Sequence, residues 1–166
     1  MNSQLLLEKL KDSEEYKEFM KENKTAYLCS GFFVIDMEKK EGNQYHFDFY
    51  VPESGKTFSF ELENGVKLIP LERYDEKVFE EISLKDEFDF DKIEKIISTE
   101  MEMQKIKNKM QKMIFSLQNI EGKDMFLGTI FVSGLGMIKA DISLSDKRIT
   151  EFEKKSLFDM MKIMKK

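Results

Sequence analysis

His46, Asp48 and Tyr50 stand at alternate positions of one short segment. On a strand, residues two apart share a face, so imidazole and carboxylate would lie side by side. A carboxylate beside an imidazole can orient it for general-base catalysis. That chemistry also needs a nucleophile or a substrate site, and no serine or cysteine stands at a strand–helix elbow or a helix start. No catalytic residue is therefore assigned, and the three side chains are read as a strand face open to a partner. Lys139 and Asp141 take the matching places on a later strand. Together His46, Asp48, Tyr50, Lys139 and Asp141 form the candidate binding surface.

Other chemistry is excluded by residue supply. One histidine and one cysteine cannot close a zinc centre within the chain. Asp86-Glu-Phe-Asp-Phe-Asp91 offers carboxylates but lacks the glycine and the distal glutamate of a calcium loop. Gly134-Leu-Gly136 lies between strands, without the helix start that a phosphate loop uses. No metal and no cofactor is expected. Cys29 sits among Tyr27, Leu28, Phe32 and Phe33, where an inert buried thiol is the default.

The net charge of −5 is concentrated. Between Tyr74 and Asp91, eight acidic residues face only Lys77 and Lys85, which accounts for the whole excess. The remainder is near neutral and lacks the basic stripe that neutralises phosphates, so nucleic acid is not an expected partner. Lys105, Lys107, Lys109 and Lys112 are assigned to a helix C-terminus, where cations suit the dipole. No apolar run approaches membrane-spanning length. The N-terminal residues meet charge after three leucines, too few for a signal-peptide core, and a soluble cytoplasmic protein is expected.

These residues need elements to hold them. The apolar spacing predicts a helix over Gln4–Glu22, then strands at Tyr27–Met37, Tyr45–Val51 and Thr57–Leu62. Asn64-Gly65 is a hairpin signal, and Val66–Leu71 returns as a fourth strand that Pro70 confines to an edge. Gly31 is read as the mark of a bulge. The acidic connector 74–91 has room for a short helix at Glu76–Ile82. Asp91-Lys-Ile-Glu94 has the form of a capping box and opens a long helix, Lys92–Asn119. Its stripe is Ile96, Thr99, Met103, Ile106, Met110, Met113 and Leu117. Strands follow at Met125–Val132, Met137–Leu144 and Ile149–Glu153, and Ser156–Asp159 starts a short C-terminal helix.

Each half thus reads as a helix followed by an antiparallel meander. Residues 45–61 align with 138–153, placing Asp48 on Asp141, Phe49 and Val51 on Ile142 and Leu144, and Phe60-Glu61 on Phe152-Glu153. The segment Lys139-Ala-Asp-Ile-Ser-Leu-Ser-Asp-Lys-Arg-Ile149, a strand, polar turn and strand after a helix, resembles the end of PepSY-type domains. The likeness covers both halves, the second more closely. It implies a helix laid on a small antiparallel sheet, no catalysis, and a binding or inhibitory role, since some such domains occur in protease propeptides and regulators. It supplies no site residues.

The expectation is an α+β fold of two helix–meander units, 1–73 and 92–166, joined by the connector 74–91. The units share one core, with helices on one face of the sheet and a short C-terminal helix. The expected function is non-catalytic binding or regulation through a protein or peptide partner, or self-association, with which a homodimer is compatible. No membrane partner is expected. The alternative is a small-molecule site or enzyme with an aromatic pocket between helix and sheet, lined by Phe32, Phe33, Phe47, Phe49 and Phe58.

Overall fold

The computed structural model describes residues 1–72 and 78–156. Two short helices open the chain, α1 (Ser3–Asp12) and α2 (Glu14–Glu22). A meander follows: β1 (Tyr27–Asp36), β2 (Gln44–Val51), β3 (Lys56–Glu61) and β4 (Lys67–Leu71). After the connector come α3 (Phe90–Met103) and a second meander, β5 (Met110–Ile120), β6 (Lys123–Val132), β7 (Gly136–Ser143) and β8 (Arg148–Ser156). All eight strands form one antiparallel sheet in the order β4-β3-β2-β1-β5-β6-β7-β8. The fold is α+β.

The single helix expected over Gln4–Glu22 is two. Ser13 is extended; its N–H donates to the Leu10 carbonyl, and its hydroxyl accepts from Tyr16 N–H at 3.2 Å. One residue therefore ends α1 and caps α2. The six-residue gap between Leu10 and Tyr16 is the trace of that break, because a continuous helix would place an apolar residue at 13, 14 or 17.

The larger correction concerns Lys92–Asn119. The helix begins at Phe90, capped by Asp89, whose carboxylate accepts from Asp91 N–H, so the capping box at Asp91 is not the start. It stops at Met103. Lys105 is left-handed (φ 58°), Lys105 N–H bonds Glu102 O, and Ile106 N–H bonds Met101 O. These two bonds close a helix end of the Schellman type. Beyond it, Met113, Phe115 and Leu117 are buried in a period-two strand, while Met103 is 72% exposed. The residues α3 buries are Phe90, Ile93, Ile97 and Met101. Lys105, Lys107, Lys109 and Lys112 consequently span a loop and the start of β5.

With β5 recognised, both halves carry four strands. The aligned stretches 45–61 and 138–153 fall on β2–β3 and β7–β8, hairpins that hold different places in the sheet. Ile149–Glu153 is strand, as expected; Ser156, the predicted start of the C-terminal helix, ends β8, and the rest of that helix lies outside the described residues. The part of the connector helix that falls within them, 78–82, is not helical.

The helices cover one face. Phe33, Phe47, Phe60, Phe115 and Phe126 are fully buried there. Phe19 from α2 meets Phe60 edge-on at 5.3 Å, and Phe90 from α3 meets Phe33 at 5.3 Å. The expected pocket aromatics Phe33, Phe47 and Phe49 are packed against other rings, Phe58 lies against Phe19, and Phe32 is on the opposite face. Two glycines permit this crowding. A Cβ on Gly31 would stand 2.8 Å from the Phe33 ring, and one on Gly128 would stand 2.5 Å from the Ala140 carbonyl and 2.8 Å from the Phe115 ring. The bulge in β1 lies between Leu28 and Ser30 rather than at Gly31.

The connector is not a solvated linker along its described length. Ile82 and Phe88 are in the core. Ile82 N–H donates to Leu28 O, Leu84 N–H to the Asp124 carboxylate, and Ser3 and Phe88 exchange backbone and hydroxyl bonds.

Candidate functional site

The outer face of the sheet carries the candidate surface. Side chains directly paired across antiparallel strands share a face. Following the register from edge to edge gives one unbroken row: Lys67, Glu61, His46, Phe32, Ser116, Leu127, Asp141 and Glu151. Beside it run Val34, Ile114, Thr129, Lys139 and Glu153. The middle of the face is apolar, with Phe32 38% exposed and Ile114, Leu127 and Phe131 half-buried. Among the described residues no helix packs on this face.

His46, Asp48 and Tyr50 sit on β2, and Lys139 and Asp141 on β7. They share a face but are not brought together: four strand steps separate them, about 19 Å at ordinary strand spacing. Each group meets partners of its own.

On β2, His46 Nε2 lies 2.8 Å from Glu63 Oε1 and 3.9 Å from Glu61 Oε1. The Phe32 ring lies beside the imidazole at 5.9 Å. Glu63 Oε2 accepts from Tyr45 N–H at 3.3 Å. Burial opposes ionisation of Glu63, but the His46 hydrogen bond and charge and the backbone N–H donors outweigh it, and its carboxyl lies below its ordinary range. Asp48 does not pair with His46. Its Oδ2 accepts from the Ser30 hydroxyl at 2.8 Å, so the His-Asp dyad the spacing permits is not formed. Tyr50 packs beside Tyr27, ring centroids 5.6 Å apart.

On β7, Lys139 Nζ reaches both oxygens of Glu151 at 3.4 Å and Asp141 Oδ2 at 3.9 Å. Asp141 Oδ1 is buried and has no hydrogen-bond partner among the described residues. Burial pushes the Asp141 carboxyl up; Lys139 and the Gly128 backbone N–H oppose this and Glu151 adds to it.

Glu61, Glu63 and Glu151 were missed as site residues, and Phe32 was assigned to the pocket side of the sheet. A signal existed for Glu61: the Pro52–Lys56 turn pairs Val51 with Lys56, and counting outward from it pairs His46 with Glu61. Glu63 lies past the end of β3, where register counting stops.

No family model matches the chain, and no curated protein matches it. Among solved structures, a crystal structure of a putative lipoprotein from Clostridium difficile is similar with a TM-score of 0.51 at 12% identity, covering 86% of this chain and 91% of that one. At that identity the likeness is one of fold. No helix among the described residues is long and apolar enough to cross a membrane.

Proposed function

We propose that this chain is a non-catalytic binding protein that takes a protein or peptide partner on the outer face of its sheet. The observation that carries this is the row across all eight strands, with an apolar middle between two polar flanks and no described helix over it. An apolar strip that no described helix covers, with polar borders, has the ordinary anatomy of a protein interface. The orphaned acceptor of Asp141 and the carboxylates of Glu61, Glu63 and Glu151 favour a partner whose apolar strip is bordered by basic side chains. The binding role implied by the PepSY likeness agrees with this, and the two helix–meander halves would then supply one flank each.

The test pairs Phe32→Asp and Leu127→Asp with the wild-type chain. Both positions are on the open face, so the fold should survive, which circular dichroism checks. In pull-downs from native extract, partners retained by the wild type should be lost from both variants. Light scattering reports self-association in the same samples. If wild type and variants retain the same proteins and the same oligomeric state, the outer face is not the working surface.

A further inference from the structure

The geometry points to a divalent metal site on the β2 flank, formed by His46, Glu61 and Glu63, with Zn2+ as the ion it suits best. Glu61 and Glu63 also border the proposed partner surface, but the metal site rests on its own geometry and not on that reading. One ligand atom from each side chain lies within 4.8 Å of the other two. In a tetrahedral site with bonds near 2.0–2.1 Å, neighbouring ligand atoms are about 3.3 Å apart. The two distances from His46 Nε2, 2.8 and 3.9 Å, bracket that edge. Small side-chain rotations would therefore admit an ion without moving the backbone.

The ligands are also held ready. Glu61 is fixed opposite His46 by the strand register. Tyr45 N–H holds Glu63 Oε2, which leaves Oε1 aimed at the imidazole, and a hydrogen bond behind a ligand is how proteins orient carboxylates toward metals. The Phe32 ring restricts the imidazole from one side. Two carboxylates with a neutral imidazole balance a dication. The nitrogen ligand disfavours Mg2+ and Ca2+, whose sites are built from oxygen. Two cations flank the site: Lys67, opposite Glu61 in the register, and Lys9, whose Nζ donates to the Leu62 carbonyl.

The three side chains are 16%, 30% and 23% exposed. An ion could enter from solvent, and with three protein ligands a position would remain for water. Such a site is open, unlike the closed centre that one histidine and one cysteine cannot make. The 2.8 Å contact with the Glu63 carboxylate, an acceptor when ionised, assigns the proton to Nε2 in the metal-free protein. On metal binding Nε2 would offer its lone pair instead, and that proton would move to Nδ1 or leave to solvent.

The experiment titrates the full chain, free of any affinity tag, with Co2+ and then Zn2+. Visible absorption follows Co2+, and imidazole nitrogen NMR follows the chain's single histidine. The expected result is one equivalent of Co2+ with d–d bands, displaced by Zn2+, and a shift of the Nε2 resonance larger than that of Nδ1. His46→Ala, Glu61→Gln and Glu63→Gln should each weaken binding about tenfold or more, while Asp141→Asn leaves it unchanged. No saturable binding, binding that survives these three substitutions, or an unmoved Nε2 resonance would overturn the site.

Discussion

Glu63, half-buried, and Asp141, buried, are carboxylates at the two flanks of the outer face, and their pKa values are shifted in opposite directions. Both are pushed toward the neutral form by burial. Glu63 overcomes this because Tyr45 N–H and His46 point at its oxygens. Asp141 does not: Lys139, 3.9 Å from one oxygen, and the Gly128 backbone N–H favour the charged form, but burial and the like charge of Glu151 outweigh them. Burial alone therefore does not decide the state of a sheet carboxylate; the number and aim of its donors do. One flank is satisfied within the chain, and on the other a single buried oxygen, Asp141 Oδ1, makes no hydrogen bond among the described residues.

The comparison presumes that one core supports both flanks. Phe115 lies beneath the centre of the face and is fully buried. Phe115→Ala should cost about 3–5 kcal/mol and lower a single unfolding transition seen by every probe. Two transitions in urea, with only one half lost, would mean that the flanks belong to separate units.

Glu63→Gln removes the satisfied carboxylate and should cost about 1 kcal/mol at neutral pH, discounted for its partial exposure. Because its folded pKa is lowered, its stabilisation is present above the ordinary carboxyl range and is lost as pH falls through the folded value. Melting curves of the variant should thus lose less on acidification than those of the wild type. Equal acid sensitivity would break the contrast at this flank.

Asp141→Asn should do the reverse. A raised folded pKa means that the contribution of Asp141 is greatest below its unfolded pKa and is lost as pH rises through the folded value. The variant should match the wild type in acid and be more stable by up to about 1 kcal/mol near neutrality. A variant less stable at neutral pH would show that the ionised carboxylate is satisfied after all.

The smallest effect is expected away from both flanks. Neutralising Glu80, Glu81, Asp86 and Glu87 together should shift stability by less than about 1 kcal/mol, because these side chains are exposed or half-exposed. The connector backbone, by contrast, is tied down through Ile82, Leu84 and Phe88.

Seven of the eight strands were legible in the sequence, because alternation and turn residues agree there. β5 was not. Met110, Met113 and Leu117 fit a helical 3–4 spacing, and 113 and 117 fit a strand as well, so the period alone does not decide. The decisive residue, Lys105, takes a left-handed conformation without being the glycine or asparagine that would have announced it. Ser13 gave a similar lesson, since a cap within an amphipathic stretch is also compatible with a continuous helix. At the site, His46 was found through its alternation with Asp48 and Tyr50 on one strand face. Its true partners come from β3 and the turn beyond it, and which of several nearby carboxylates reaches an imidazole is settled by register and rotamer.

Seven pairs of neighbours make up the sheet, and six are consecutive in the chain. The exception is β1 against β5, where Gly31 pairs with Leu117 and Asp36 with Lys112. Chain closure during folding is thus cheap at every junction but one. As the polypeptide leaves the ribosome, the first meander can assemble from its own turns while β1 remains an open edge beside Phe33. That edge stays unpaired until β5 has emerged, a template for strands of other nascent chains. Delay between the two halves of synthesis is therefore the period in which this protein is most exposed to mispairing.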